Sequence, residues 1–570
     1  MSARPAALRS LALVVAVLVL WGANCQPPAP APTGPAVTAI DPANGTERVA
    51  TSSAVRIDFD SGVDLSSLTP AAASVAAPAG PVPGAWRLEN AGRRAVFQST
   101  SPLPASDTIR VSLTTSVRGA NGAPLVSAFA SAFRTAGPSR LRAGAAAVDV
   151  TPPVGVPLAG YGGGKRRLFP PDFNPNNYHQ FMSPSTGVRD PLVAKALVLD
   201  DGTDRIAFLK LDLVAVEEEA VKDIAARILA TTGIREENIF VSGTHTHSGP
   251  GTLTNTIIWQ VITMDSFQPR IYEGLIAGAA RAIELANANL ADARLGIGQT
   301  QVQGVQRNRR DHPGRFDPTL SVLRVDRADG QPIAVLFNIA IHAICLSQDS
   351  MLISADWPGY AESTIETALP GAVALFVNAA EGDVTPGMKG DAGVQFIGGT
   401  VAQAALATRA QTPVRSSVDL AAGVERITFP KAWLYYSCNQ PQNAAQSQGF
   451  PVDFCLVYRT IFGNELTVKQ EITPIVPSSF PMKALKIDDT AIVCFPGEPI
   501  TRLGQMAQAQ AYAAGFRTAI VFGLTGGHVA YITTPEEFDE GGYEALATFY
   551  GRDEGTKMVE SLGRVLQRIR

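Results

Sequence analysis

Two closely spaced histidines carry the clearest signal for chemistry in this chain of 570 residues. His245 and His247 follow the apolar run IFVSG and are embedded in the glycine- and serine-rich sequence GTHTHSGPG. In extended backbone, side chains two residues apart point the same way, so both imidazoles would project from the end of a strand. That arrangement suits a metal ligand beside an imidazole that moves protons. Two histidines in a surface turn would have the same spacing.

Three further side chains that can bind a metal follow other apolar runs. His342 ends AVLFNIAIHAI, Glu498 follows AIVCF in FPGEP, and Tyr531 follows TAIVF in GLTGGHVAYITT. Each also fits a structural role: a histidine of the core, a carboxylate that caps a helix, and a packed tyrosine. Because chemistry in an α/β domain gathers at strand ends, the three could share a site with the histidine pair. Such a set could hold one zinc ion with room for water or substrate, as hydrolysis requires.

Four other polar residues stand at strand-to-loop junctions of the same region. Asp383 and Thr385 lie in NAAEGDVTPG after the run AVALFV, Asp356 lies in ISADWPGY, and Arg309 lies in VQRNRRDHPG. They supply two carboxylates, a hydroxyl and a guanidinium. Their common placement predicts that they line the same site.

The elements that must position these residues form two domains. From residue 143 to 570, strand-like runs such as RIAFLKLDLVAV alternate with helical runs such as EEEAVKDIAARILATTG. The pattern predicts an α/β domain with a mixed sheet, and the apolar strands indicate a sheet that is mostly buried on both faces. Residues 37–136 instead show short alternating runs separated by turn signals, which predicts a small all-β sandwich. Its opening IDPANGTERVA and its closing F-x-T resemble bacterial Ig-like domains.

The first residues predict export. Arg4 and Arg9 precede the run LALVVAVLVLW, which is too short for a membrane span and fits a secretory signal over residues 1–25. Cys25 could be the lipidated first residue of a lipoprotein, and the proline-rich residues 26–36 read as an extended linker. We therefore expect a secreted, periplasmic or envelope-associated protein with peripheral or lipid-anchored membrane contact.

Composition narrows the classes of partner. The net charge of −4 and the lack of a basic stripe with interleaved aromatic residues give no reason to expect nucleic acid. Five cysteines exclude a disulfide-dense scaffold. Cys438 and Cys455 lie in one predicted loop and could close it in an oxidising compartment.

The order of the motifs resembles that of the neutral ceramidases, zinc-dependent amidases that split ceramide into sphingosine and fatty acid. The similarity runs from about residue 143 to 565 through GTHTHSGPG, QRNR, the AIH strand end, GDVTP, FPGEP and AYITTPEEF…GYEALATFYG. It implies one Zn²⁺ per chain, with the metal ligands His245, His342, Glu498 and Tyr531. It also implies that His247 assists proton transfer and that Arg309 holds a polar substrate group or oxyanion. We expect Thr385 and Asp383, in the GDVTP motif, to belong to the catalytic set.

Two departures from the family pattern bear on the substrate. Thr385 stands where the family has serine, so the hydroxyl is kept while a methyl group and a stiffer χ1 are added. His528 stands where the family has tyrosine. The sequence therefore predicts an exported zinc amidohydrolase that uses a zinc-activated water on ceramide or a related N-acyl lipid. The alternatives are another amide, such as an N-acyl amino acid, an ester, or a catalytically inactive surface binding protein.

Overall fold

The computed structural model describes residues 33–570 except 48, 50, 52, 136–139, 311, 313 and 449–453. The predicted signal segment, Cys25 and most of the predicted linker therefore lie outside the described residues. The chain divides into two compact units, Met1–Gly137 and Pro138–Arg570. Each unit has its own hydrophobic core and is described by itself.

The first unit is a sandwich of two four-stranded antiparallel sheets. Across one sheet the strands are Val37–Asp41, Val55–Phe59, Arg94–Ser99 and Gly84–Glu89, and across the other Gly80–Pro81, Ala73–Ala77, Thr108–Leu113 and Phe129–Arg134. Alternate residues of these strands, such as Ile57, Ile109 and Val111, fill the space between the sheets. This confirms the all-β Ig-like sandwich that the alternating pattern predicts.

The second unit is built on two mixed sheets. Across the larger one the strands are Ile239–Gly243, Arg205–Leu211, Val193–Asp200, Arg142–Asp149, Ala291–Gln301, Thr319–Arg327, Pro332–Ile339 and Val373–Asn378. Its outermost pair at each edge is parallel and the pairs between are antiparallel. Across the smaller sheet the strands are Leu420–Thr428, Ser479–Ile487, Thr490–Cys494 and Thr518–Phe522.

The two sheets pack face to face, and helices cover their outer faces. Leu197 and Leu336 of the larger sheet join one cluster with Leu485 and Ile492 of the smaller sheet. The covering helices are Glu218–Thr232, Pro269–Ala288, Asp356–Ala368 and Gly390–Gln411 for the larger sheet, and Thr501–Ala513 and Glu554–Ile569 for the smaller one. Cover on both faces explains why the strands are apolar at consecutive positions. The predicted mixed and mostly buried sheet is confirmed, although it is divided into two layers.

Short elements complete the second unit. The remaining helices are Ile257–Trp259, Pro441–Gln448, Phe454–Phe462, Pro535–Glu540 and Tyr543–Leu546, with a π-helical turn at Gln260–Met264 and a 3-10 turn at Gly164–Arg166. Short strands pair as Gly187–Val188 with Leu352–Ile353, Gln306–Asn308 with Val384–Pro386, Trp433–Ser437 with Thr467–Glu471, and Glu498–Pro499 with Tyr531–Ile532. A disulfide joins Cys438 to Cys455. No helix among the described residues is both long and apolar enough to cross a bilayer.

Candidate metal centre

Two imidazoles and one carboxylate converge at the strand ends of the second unit. The Nε2 atoms of His245 and His342 each lie 3.2 Å from Oε2 of Glu498. The three ligand atoms lie within 4.8 Å of one another, and all three side chains are buried. The structure thus brings together three residues that are separated by about 250 positions in the chain and that the sequence predicted for one site.

The outer nitrogen of each histidine is fixed by a backbone carbonyl. Nδ1 of His245 lies 2.7 Å from the carbonyl oxygen of Val214, and Nδ1 of His342 lies 2.9 Å from that of Val384. A neutral imidazole carries one N–H, and a carbonyl can only accept it, so Nδ1 holds the proton in both rings. The lone pair of each Nε2 is therefore directed at Glu498, which is the tautomer that a metal ligand needs.

The backbone at His245 differs from the expectation. The extended backbone predicted for the histidine pair is wrong at His245, which has φ of +66° just beyond the strand Ile239–Gly243. Residues with a side chain seldom adopt this left-handed conformation, and they do so most often at functional sites. The two imidazoles nevertheless meet, with ring centroids 4.9 Å apart.

The electrostatics of the cluster fit a bound cation. Burial, together with the charge of Arg309, lowers the pKa of His342 to about 3, so this ring is neutral. Oε2 of Glu498 is buried and accepts no hydrogen bond, because both ring N–H groups point away from it. A cation between the three ligand atoms would satisfy this orphaned oxygen.

Tyr531 stands at the edge of the cluster. The pair Glu498–Pro499 and Tyr531–Ile532 is parallel and sets Tyr531 directly opposite Glu498. The Tyr531 hydroxyl lies 3.3 Å from Nε2 of His342 and accepts a hydrogen bond of 2.9 Å from Nη2 of Arg309. Burial raises the pKa of Tyr531 well above its usual value, and Arg309 only partly offsets that effect. The hydroxyl is therefore placed next to the ligand atoms and is oriented by a guanidinium.

His247 lies beside the three converging side chains. Its Nε2 is 3.3 Å from Nε2 of His245, and its ring packs edge-on against Tyr161 with centroids 4.7 Å apart. Burial, reinforced by His245 and His342, lowers the pKa of His247 well below its usual value. Gly160 has φ of +99°, and a Cβ there would lie 2.4 Å from Cγ of His247, so glycine is needed for this close approach.

Arg309 is held by three hydrogen bonds around the site. Nε donates to Glu544 over 2.8 Å, and Nη2 donates to the Tyr531 hydroxyl and to the carbonyl oxygen of Gly382 over 2.9 and 2.8 Å. Tyr531, Glu544 and Glu498 raise the pKa of Arg309 despite its burial, which keeps the guanidinium charged. The sequence did not single out Glu544, although it lies in the motif GYEALATFYG.

Asp383 and Thr385 flank the carbonyl that fixes His342. Oδ1 of Asp383 accepts hydrogen bonds from the amide and hydroxyl of Thr501, and Oδ2 accepts one from Asn308 over 2.6 Å. The Asp383 carboxylate is therefore occupied by structural bonds. Thr385 is buried in the short strand Val384–Pro386, and its hydroxyl bonds to none of the described residues.

Two other residues lie close enough to Glu498 for its charge to affect their pKa values. The ring of His528 packs 5.2 Å from that of Trp259, and burial lowers its pKa to about 4. Glu381 is fully buried with neither carboxyl oxygen hydrogen-bonded, and burial, together with Glu498, raises its pKa well above the usual value. Glu381 was missed, although it follows the same apolar run that pointed to Asp383.

Asp356 has a positioning role within the loop that follows His342. Its buried carboxylate accepts hydrogen bonds from the amides of Cys345, Leu346 and Trp357 over 2.7 to 3.1 Å. Its own φ is +56°, which is strained for a residue with a side chain. This carboxylate therefore shapes the backbone next to the metal centre and does not face the ligand atoms.

Comparison with known proteins places this site in a family. The family described as neutral/alkaline non-lysosomal ceramidase, N-terminal, matches residues 172–470, which is more than half of the chain. The chain belongs to the neutral/alkaline ceramidase family. This membership confirms the prediction of a hydrolase that acts on linear amide bonds. A bacterial Ig-like domain matches residues 31–135.

Curated relatives and solved structures agree with the assignment. The neutral ceramidase of Mycobacterium tuberculosis is 23% identical over 468 residues, which cover 68% of this chain and 73% of the relative. That of Pseudomonas aeruginosa is 23% identical over 447 residues, 66% of each protein. The crystal structure of the latter matches with a TM-score of 0.62 and 20% identity over 75% of this chain and 74% of that one. The structure of a ceramidase complexed with C2 matches with a TM-score of 0.63 and 21% identity over 75% of each chain, so the fold is shared.

Proposed function

We propose that this chain is an exported, zinc-dependent amidohydrolase that cleaves the amide bond of ceramide or a related N-acyl lipid. The observation that carries the proposal is the convergence of His245, His342 and Glu498, with both Nδ1 atoms bonded to backbone and the Glu498 oxygen without a hydrogen-bond partner. Two imidazole nitrogens and a carboxylate oxygen form a ligand set that suits Zn²⁺, and the Tyr531 hydroxyl would complete it. Zinc in such a site lowers the pKa of water to about 7 and polarises a carbonyl.

His247 would carry the proton. It is neutral because burial lowers its pKa, so it can accept a proton at Nε2, the nitrogen that faces the ligand atoms. From there it would deliver the proton to the nitrogen of the leaving amine, as a general acid does. The contact with Tyr161 and the close approach of Gly160 hold the ring in place for this transfer.

Arg309 and Thr385 would handle the substrate. Hydrogen bonds to Glu544, Gly382 and Tyr531 occupy Nε and Nη2 of Arg309, which leaves Nη1 to stabilise negative charge on the carbonyl oxygen. The Thr385 hydroxyl would position the amide. Asp383, predicted as catalytic, is better described as a positioning residue, because its carboxylate ties Asn308 to Thr501.

Exposed apolar side chains support contact with a lipid surface. Phe169 and Phe173 are 91% and 69% exposed, and Val261 and Ile262 are also exposed. Arg167 donates hydrogen bonds of 2.8 Å to the carbonyl oxygens of Val261 and Ile262, which ties the two segments together. Gly160, which packs against His247, donates to the carbonyl oxygen of Thr263, so this rim borders the metal centre.

We also propose the domain plan and location that the sequence predicts. Residues 1–25 would direct export, residues 37–136 would form the Ig-like spacer, and residues 143–570 would form the hydrolase. Lipidation of Cys25 would anchor the protein to the envelope. The disulfide between Cys438 and Cys455 supports an oxidising location.

Fatty-acid release from ceramide tests the proposed function. The purified full-length protein is incubated with a ceramide, with and without a chelator, beside His245→Ala and a control, Arg517→Gln, at an exposed arginine. We expect release by the wild type and the control, and a loss of at least about 100-fold after chelation or in His245→Ala. Release that survives both treatments would rule the metal mechanism out.

A further inference from the structure

A cavity of about 660 Å³ opens beside the metal centre. Its walls include Tyr161, Lys389 and the backbone segment 344–348 that follows His342. The Tyr161 ring that lines the cavity also packs against His247, and its hydroxyl donates a hydrogen bond of 2.9 Å to the carbonyl oxygen of Leu346. The cavity and the proton-carrying histidine therefore share one wall, and a substrate held at the metal centre could extend into this space.

A buried and uncompensated guanidinium stands behind that wall. Arg166 is 1% exposed, its Nε donates to the carbonyl oxygen of Gln348, and its Cζ lies 5.4 Å from the centroid of the Tyr161 ring. Both terminal nitrogens, Nη1 and Nη2, are buried without a hydrogen-bond partner. Within the described part of the chain, Arg166 forms no ion pair, and burial lowers its pKa to about 10. A buried charge left in this state is costly unless an anion comes close to it.

A second cation lines the cavity directly. Nζ of Lys389 donates a hydrogen bond of 2.8 Å to the carbonyl oxygen of Ile344 and forms no ion pair with a carboxylate of the described residues. Lys389 is therefore free to bind an anionic group inside the cavity.

No carboxylate in the described part of the chain forms an ion pair with either of these cations. Asp391, at the rim of the cavity, is bonded to Arg189, so these two charges offset each other. Asp356 lies behind the 344–348 segment and is bonded to three backbone amides. Asp349 faces the exposed Lys165 at 3.6 Å. Arg166 and Lys389 are thus left without a carboxylate in direct contact.

We propose that this cavity binds a compact anionic group, such as a carboxylate, carried by the amide substrate, and that Lys389 and Arg166 determine this specificity. The inference rests on the proposed amidohydrolase function and specifies its substrate class: an acidic N-acyl compound, of which an N-acyl amino acid is the simplest example. Lys389 would contact the anion, while Arg166 would act through its charge from behind Tyr161 and Gln348. The neutral hydroxyl groups of ceramide would leave both cations uncompensated.

The test compares substrates that differ only in charge. N-dodecanoylglycine, its methyl ester and N-dodecanoylaminomethanesulfonate share one acyl chain and one amide, and fatty-acid release gives kcat/KM for each. We expect the wild type to prefer the carboxylate over the neutral ester by at least about tenfold, mainly through KM, with the preference falling as salt rises. A preference for the sulfonate over the carboxylate would still support an anion site, but it would identify a sulfonate as the anionic group that the site binds.

Substitutions test whether the two cations at the cavity cause the preference for the charged substrate. Lys389→Gln and Arg166→Gln should each reduce the ratio of kcat/KM for the carboxylate to that for the ester by about tenfold, while Lys165→Gln, at an exposed neighbouring cation, should leave the ratio unchanged. Thermal unfolding checks that Arg166→Gln folds. If it does not fold, Lys389→Gln still tests the inference, because Lys389 is exposed and its replacement should not disturb folding. Equal turnover of charged and neutral substrates, or a ratio unaffected by both variants, would overturn the inference.

A binding measurement distinguishes a failure of this inference from a failure of the proposed function. If no amide is hydrolysed, the proposed function fails, and calorimetric titration of the wild type with N-dodecanoylglycine and its methyl ester still decides the cavity's charge preference. Tighter binding of the acid that is lost in Lys389→Gln would support the anion site. Equal binding of acid and ester would exclude it.

Discussion

At the metal centre, hydrogen bonds to backbone carbonyls decide which nitrogen of each histidine can bind a cation. Val214 and Val384 accept the Nδ1 protons of His245 and His342, so both Nε2 lone pairs meet at Glu498. The sequence predicted that these three side chains share one site, because each follows a buried strand. It could not predict the two carbonyls, because every residue has one and only the folded backbone determines where it points.

Replacement of Glu498 by glutamine tests the ligand role with little change in shape. We expect Glu498→Gln to lose nearly all bound metal and at least about 100-fold of the hydrolytic activity, because an amide oxygen is a much weaker ligand than a carboxylate. Metal analysis and fatty-acid release measure both effects.

The matched control is Glu381→Gln at a neighbouring buried carboxyl. Burial raises the pKa of Glu381 well above its usual value and so favours the neutral carboxyl, which glutamine resembles, and the glutamine variant should keep its metal. Loss of metal in Glu381→Gln together with retention in Glu498→Gln would contradict the assignment of the ligand.

Two substitutions distinguish the contribution of the Thr385 hydroxyl from that of its methyl group. If the hydroxyl positions the substrate, Thr385→Ala should lower kcat/KM by about tenfold, the worth of one hydrogen bond, while Thr385→Ser should stay within a few-fold of the wild type. Unchanged activity in Thr385→Ala would show that this hydroxyl is neither nucleophile nor anchor, and it would leave the water mechanism standing.

Among the elements, one buried carboxylate fixes the segment that forms the near wall of the site. Asp265, with φ of +80°, accepts hydrogen bonds from the amides of Gln180, Phe181 and Met182 over 2.8 to 3.2 Å. These bonds fasten the segment 161–183, which carries Tyr161 and Arg166, to the π-helical turn Gln260–Met264. The segment has little regular structure, so side-chain bonds hold it in place.

Removal of this carboxylate should loosen the segment. Asp265→Ala leaves one buried and two half-buried amides without an acceptor, so we expect the free energy of unfolding to fall by about 3 kcal/mol. Hydrogen exchange should accelerate over residues 161–183 before any other part of the second unit. The exposed Asp349→Ala is the control, with a change below about 0.5 kcal/mol. Equal stability of Asp265→Ala and the wild type would refute this role.

The strands and loops also show which features the sequence could predict and which it could not. Consecutive apolar residues identified strands such as Val373–Asn378 and Thr490–Cys494 as buried on both faces, which is correct. They could not divide the strands between two sheets, because both sheets are covered on both faces and carry the same pattern. The segment 161–183 has no period at all, so neither Tyr161 nor Arg166 could be connected to the site from sequence.

For the whole molecule, two separate cores predict two separate folding units. The Ig-like unit buries Ile57 and Ile109 in a core of its own, and the hydrolase unit contains the three converging side chains that could hold a metal. A protein reduced to residues 138–570 should therefore bind metal and hydrolyse the amide with kcat/KM within about threefold of the full chain. Calorimetry of the full chain should show two transitions, and that of the shortened protein one. Loss of metal binding on truncation would contradict this separation.

The central claim, that buried side chains hold one catalytic zinc ion, is tested most directly by metal removal and return. The purified full chain is analysed for metal, stripped with a chelator, and titrated with Zn²⁺ while fatty-acid release is followed. We predict about one zinc per chain, loss of activity on stripping, and full recovery at about one equivalent of Zn²⁺. Hydrolysis that continues in protein free of metal would contradict the account.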